Sequence, residues 1–178
     1  LVAIRDFLIA TGKFQPSREI LFLPAGGVKG VKPLASILSA KKGDLPSVIL
    51  DSDQAGVVFA QSLIKNSYAT NEKRIIKIGD ILQISNAEIE DLIPKTFLTD
   101  IVDRLIRADV YFSDVYDESL PVVPQIENFA KENDFKLAQN QWKVELARTF
   151  KDRLPTMHKN IDEGTAIIWQ QLFISLNS

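Results

Sequence analysis

The sequence predicts an α/β fold, a parallel sheet flanked by helices, followed by a C-terminal helical segment. Short apolar runs alternate with helical patterns through the first part of the chain, which implies βαβ units. That alternation stops after Gly79-Asp80, and helical periodicity takes over. The 178 residues are 46% hydrophobic and 25% charged, enough apolar material for one folded domain and its appendage and too much for wholesale disorder.

Leu1, Ile4, Phe7 and Leu8 recur at helical spacing, so residues 1–11 read as an amphipathic helix stopped by Gly12. Glu19 to Leu23 reads as a short strand, and Pro24-Ala25-Gly26-Gly27 as a turn. Pro33 to Ala40 reads as a helix with proline in its first turn. Ser47 to Leu50 is the next strand. Residues 54–65 follow as a helix whose buried stripe is Val58, Ala60, Leu63 and Ile64. Arg74 to Ile78 is a third strand, closed by Gly79-Asp80. Residues 88–94 form an acidic turn, and Phe97 to Val110 a helix. Leu120 to Pro124 is a stiff connector, and Ile126 to Lys131 a short helix. Trp142 to Leu154 is an amphipathic helix with Val144, Leu146, Ala147 and Phe150 as its apolar residues. The last helix, 162–176, buries Ile167, Ile168, Leu172 and Phe173. The expected division is an α/β core over 1–95 and a helical extension over 96–178 packed on it.

Several function classes are set aside by composition. A net charge of −2 does not advertise a nucleic-acid binder, although it leaves room for a local basic groove. There is no cysteine, so disulfide scaffolds and cysteine-based zinc sites are excluded, and a reducing compartment is compatible but not proven by this. A cytoplasmic location is expected. No apolar run is long enough to span a bilayer. Arg5 and Asp6 interrupt the first apolar stretch, which is not a signal peptide. The chain begins at Leu1 rather than Met and reads as a piece of a longer protein.

The most informative run is Val48-Ile49-Leu50-Asp51-Ser52-Asp53-Gln54-Ala55-Gly56. An apolar strand ends in two carboxylates one residue apart, at the sheet edge where open α/β folds bind ligands. Asp51 and Asp53 point the same way in an extended segment, while Ser52 points to the other face. Two such carboxylates repel each other unless a cation lies between them, and hard oxygen donors suit Mg²⁺ or Mn²⁺. The competing reading is that Asp53 only caps the following helix.

Three segments together carry a family resemblance: Leu-Pro-Ala-Gly-Gly at 23–27, Val-Ile-Leu-Asp-Ser-Asp-Gln-Ala-Gly at 48–56, and Glu-Ile-Glu-Asp-Leu-Ile-Pro at 88–94. In this order, over roughly residues 1–155, the chain resembles the toprim nuclease half of overcoming-lysogenization-defect (OLD) family proteins. The resemblance implies a metal-dependent DNA endonuclease with an ATPase domain preceding it on the same chain. ATP acts only through that domain. It further implies a homodimer, DNA as partner, and a two-metal site in which Glu90 and Asp91 join Asp51 and Asp53. Glu88 is less firmly placed, as a possible solvated neighbour, and the acidic turn has a competing reading as the complement of a helix dipole. The resemblance also implies a late lysine that offsets transition-state charge. Lys143 is the choice and Lys136 the runner-up, against an ordinary surface lysine on a helix.

One departure from the family pattern stands out. The first toprim strand and its glutamate are not found, because Glu19 begins its strand rather than ending it. Residues 1–178 by themselves are therefore expected to be poorly stable and inactive. Gly26 and Gly27 are expected to allow close backbone packing near the metals rather than anion binding, and no P-loop is present. Lys29 and Lys32 read as solvent-exposed, with contact to a DNA backbone as the other possibility, and the single histidine, His158, as a surface residue. Trp142 and Trp169 read as core. Two other functions compete with the endonuclease. One is a nucleotide-sugar glycosyltransferase, which also holds a divalent ion with Asp-x-Asp but is disfavoured by the helix that follows. The other is a non-catalytic toprim-like module for dimerisation or DNA docking.

Overall fold

The computed structural model describes residues 1–42, 44–139 and 141–177. Its elements are α1 (Val2–Ala10), α2 (Val28–Lys42), β1 (Val48–Leu50), α3 (Gln54–Lys65), β2 (Ile75–Lys77), α4 (Ile78–Leu82), α5 (Lys95–Ile106), α6 (Val122–Glu132), α7 (Gln141–Arg153) and α8 (Glu163–Asn177). The fold is α/β at a coarse level, predominantly helical around a small sheet.

β1 and β2 pair in parallel, with Val48 opposite Ile75, Ile49 opposite Ile76 and Leu50 opposite Lys77. With α3 between them they form one βαβ unit, as the sequence predicts. The period of two then sorts side chains between two apolar clusters. Val48, Leu50 and Ile75 join Val31, Ala60, Leu63 and Tyr68. Ile49 and Ile76 face the larger cluster, which runs from Ile4 on α1 to Leu176 on α8. The sheet therefore has apolar packing on both faces, the arrangement a parallel sheet requires.

The larger cluster crosses from the first half of the chain into the second. Phe7 on α1 meets Trp169 on α8 edge to face, with ring centroids 5.6 Å apart. Phe97 on α5 meets Phe150 on α7 in the same way at 5.3 Å. Both tryptophans read as core are buried there.

Several elements differ from expectation. Glu19–Leu23 forms no strand. Ile20 and Phe22 lie against the core while Leu21 and Leu23 face solvent, so the alternation is real but is held by helices. Arg5 supports it by donating to the Ile20 carbonyl at 2.7 Å. α2 starts five residues before Pro33, which falls inside the helix and cannot donate to the preceding turn. The early start follows from Gly26 and Gly27, whose positive φ angles of 67° and 96° turn the chain straight into the helix. Close packing is not their role, since a Cβ on either meets nothing within 4 Å. That role falls to Gly30, where a Cβ would lie 1.8 Å from the Ala25 carbonyl oxygen.

Gly79-Asp80 lies within α4 rather than closing a strand. α5 stops at Ile106, not Val110, because Arg107 adopts the left-handed conformation, with its N–H bonded to Asp103. The supposed connector at 120–124 is the start of α6, with Pro124 in a first turn that needs no donor there. Val58, Val144 and Ile167 face solvent. The buried residues of α3 are Gly56, Ala60 and Leu63, and those of α7 are Trp142, Leu146 and Phe150, stripes of i, i+4 and about i+8 that exclude 58 and 144. Ala147 is exposed for the same reason. Among the described residues, no helix is long and apolar enough to cross a membrane.

Candidate functional site

The chain leaves β1 at Leu50 and enters a short, heavily tied segment. The Ser52 N–H donates to the Ala87 carbonyl at 2.8 Å, and the Ser52 Oγ accepts from the Gly79 N–H at 2.7 Å. Ser52 thus anchors the end of β1 to α4 and to the approach to the acidic turn. Asp53 caps α3, its Oδ1 accepting the Gly56 N–H at 2.6 Å. The capping role read from sequence is therefore present. Gly56 lets α3 begin this close, since a Cβ there would stand 2.0 Å from the Asp51 carbonyl oxygen.

The acidic turn docks on the same edge. The Ile89 N–H donates to the Asp51 Oδ1 at 3.0 Å, joining residues 38 apart in sequence. The turn is a 3₁₀ segment, Ile89–Leu92, opened by a capping box between Glu88 and Asp91. Asp91 uses both oxygens structurally: Oδ2 accepts from the Glu88 N–H at 2.8 Å and Oδ1 from the Val122 N–H at 2.7 Å. The ligand role that the resemblance implies for Asp91 would compete with these two bonds.

From the other side, the indole Nε1 of Trp169 donates to the Leu92 carbonyl at 2.9 Å, inside the core. Replacing Trp169 with Phe removes that donor and leaves a buried carbonyl unpaired. A loss of roughly 2 kcal/mol in urea-derived unfolding free energy is expected. A loss below about 0.5 kcal/mol, the usual range of an inert substitution, would contradict a pinned turn.

Lys143, on the first turn of α7, completes the cluster. Its Nζ lies 2.5 Å from the Glu88 Oε2 and 3.9 Å from the Glu90 Oε1. The three side chains are only 24%, 21% and 12% exposed for Lys143, Glu88 and Glu90. Glu88 is thus no solvated bystander but the lysine's nearest partner. Lys136 is exposed, in a groove beside α6 lined by Glu127, Lys131 and Phe135. Lys32 reaches Ser62 Oγ at 3.2 Å and lies over the Phe59 ring. The side chain of His158 lies outside the described residues.

The electrostatics are those of crowded carboxylates around one ammonium. Burial raises the Asp51 carboxyl above its ordinary range, and the charges of Glu88 and Asp53 add to this against the Ile89 bond and Lys143. Burial likewise raises Glu90, with Lys143 opposing and Glu88 and Asp51 reinforcing. Burial works against the charge on Lys143, yet the bond to Glu88 and the fields of Glu90, Glu88 and Asp51 raise it overall. The donor set is hard oxygen at a sheet edge, which fits Mg²⁺ or Mn²⁺ in its chemistry. Among the described residues, however, no three acidic side chains or imidazoles stand close enough together to hold a metal ion as placed.

Comparison of the chain with family models, curated proteins and solved structures gives no match. The functional reading therefore rests on these residues. The sequence singled out Asp51, Asp53, Glu90, Asp91 and Lys143, and the fold brings all five to one region. It undervalued Glu88 and assigned no role to Ser52 or Gly56. The spacing Asp-Ser-Asp-x-x-Gly carried a signal for the last of these, since a helix capped at Asp53 must pass close to β1.

Proposed function

We propose that this chain is the DNA-cleaving, toprim-type domain of an OLD-family ATPase–nuclease, dependent on Mg²⁺ or Mn²⁺ and acting in the cytoplasm. The single observation that carries the reading is convergence. Three segments far apart in sequence, 51–53, 88–91 and 143, meet through the Ile89–Asp51 bond and the Lys143–Glu88 ion pair. Asp51, Asp53 and Glu90 are the oxygen donors assigned to the metals. When bound, two divalent ions activate water and neutralise the scissile phosphate of an in-line displacement. Asp91 holds the acidic turn in place through its two backbone bonds. Lys143 is the cation assigned to the developing charge on the phosphate. ATP acts through a preceding ATPase domain, and the working unit is a homodimer.

A second reading draws on two observations, that Lys143 already sits among the carboxylates and that Asp53 already caps α3. On that reading the domain is a non-catalytic toprim-like module for DNA docking or dimerisation. A glycosyltransferase is disfavoured because α3 follows Asp53 directly. Substrate class separates the three. The full-length protein with Mn²⁺ is offered supercoiled plasmid and, separately, a nucleotide-sugar. The proposal expects nicked plasmid and an intact nucleotide-sugar. Nucleotide-sugar turnover without nicking would overturn it in favour of the transferase, and DNA retention without nicking in favour of the docking module.

A further inference from the structure

We propose that the outer face of α2 and α3 is a docking surface for the phosphate backbone of duplex DNA, leading away from the candidate site along α3. The inference rests on the reading above for DNA as the polyanion, while the surface itself stands on charge and placement. Together α2 and α3 carry five lysines, at 29, 32, 41, 42 and 65, and no carboxylate, in a chain whose net charge is −2. Lysines gathered on one face are the electrostatic footprint of a nucleic-acid binder. Both helices cover the same side of the sheet, through Val31 on α2 and Ala60 and Leu63 on α3. Lys32 joins them on the outside: its Nζ donates to the Ser62 Oγ at 3.2 Å and lies 5.8 Å from the centroid of the Phe59 ring. The partner is a hydroxyl, so the ammonium keeps its full charge. Lys29 lies one turn before Lys32, and Lys65 one turn beyond Ser62, which makes neighbours of the three. All three are exposed, and none enters an ion pair among the described residues. Lys77, Lys95, Arg104, Lys143 and Arg153, by contrast, are each matched with a carboxylate.

The choice of partner follows from the uniform sign. A protein partner tolerates carboxylates among the lysines, whereas a backbone negative along its whole length does not. Phosphates are met by lysine together with amide and hydroxyl donors. The exposed stripe of α3 supplies these in Gln54, Gln61 and Lys65. That stripe starts beside Asp53, so it connects directly with the candidate site. At about 1.5 Å per residue, Lys65 stands roughly 16 Å from Gln54, which spans about five nucleotide steps of roughly 3.4 Å.

The test measures binding of a labelled duplex of about 30 base pairs to the full-length protein by fluorescence anisotropy, in chelator and over a range of salt. The triple variant Lys29→Gln, Lys32→Gln, Lys65→Gln is expected to bind at least about tenfold more weakly near 0.1 M salt, and its salt slope to fall by about 2–3. The control triple Lys131→Gln, Lys151→Gln, Lys159→Gln removes the same charge from exposed lysines of the helical half, and is expected to stay within about twofold. Equal losses in the two triples overturn the interface, because net charge alone then explains them, and so does unchanged binding by the first. Retention on phosphatidylserine vesicles or polyglutamate without duplex binding overturns it in favour of a lipid surface or an acidic protein. Should the first triple fail to fold, Lys29→Gln, Lys65→Gln carries the test. Neither side chain makes a hydrogen bond among the described residues, and a fall in salt slope of about 2 is expected, with an unchanged slope overturning the interface. Duplex binding lost in the triple variant, with no nicking by the unaltered protein, refutes the nuclease reading alone. Nicking with duplex binding unchanged in the triple variant refutes the interface alone.

Discussion

Replacing Asp51 with Asn is expected to abolish DNA cleavage while leaving the fold as stable as before or slightly more so. The two effects have different causes. Asparagine keeps an oxygen for the Ile89 N–H, so the acidic turn stays docked. It loses the charge that the proposed function assigns to holding a divalent ion, and a fall in cleavage of about a hundredfold or more is expected. Stability moves the other way because the native Asp51 carboxyl is raised, first by burial and then by Glu88 and Asp53. A carboxyl raised on folding binds its proton more tightly in the native state. Its stabilising contribution is complete below the unfolded value and is lost as pH rises through the folded one. At neutral pH the ionised carboxylate therefore costs stability that asparagine restores. In the presence of chelator, Asp51→Asn should melt at or above the unaltered protein at pH 7. That margin should shrink as pH falls through the ordinary carboxylate range. A variant that melts well below the unaltered protein at pH 7 would contradict the electrostatic account. Asp53→Asn should also lose cleavage, but with little change in melting, because asparagine caps helices about as well as aspartate.

Gly56→Ala is expected to be among the most damaging single substitutions in the chain. The added Cβ would stand 2.0 Å from the Asp51 carbonyl oxygen and 3.0 Å from the Asp53 Oδ1. Backbone cannot rotate away as a side chain can, so α3 must shift off the end of β1. The cost is about 3 kcal/mol, or roughly 6–12 °C in melting temperature for a domain of this size. The shift also breaks the Asp53 cap and moves both carboxylates. Val58→Ala on the same helix is the control. Its side chain is 60% exposed, and a change within about 0.5 kcal/mol is expected. Equal melting of Gly56→Ala and Val58→Ala would contradict the close approach of helix and strand.

The pair also shows what the sequence could and could not tell. Local signals with a single physical cause were legible. The strand into Asp51, the cap at Asp53, the stop at Gly12 and the parallel βαβ unit follow from apolar period, capping chemistry and glycine conformation. Helix phase was less legible, because Val58, Val144 and Ile167 are apolar but lie off the buried stripes. Nothing in their chemistry separates them from their buried neighbours. The run at 19–23 has true strand alternation, and the chain instead covers it with α8, where Phe22 meets Phe173. Tertiary pairing of that kind is invisible to a local pattern. The candidate site divides in the same way. Its acidic members were legible from strand position and motif. The partnership of Glu88 with Lys143, 55 residues away, depends on how α7 packs against α5, and no spacing rule encodes that.

The most direct test of the central claim is nicking of supercoiled plasmid by the full-length protein, with Mg²⁺ or Mn²⁺ and with chelator, beside the Asp51→Asn, Asp53→Asn double variant. Nicking is expected to require the divalent ion, to be absent with chelator, and to be lost in a double variant that remains folded. Nicking that persists in the folded double variant, or that proceeds undiminished in chelator, would contradict it.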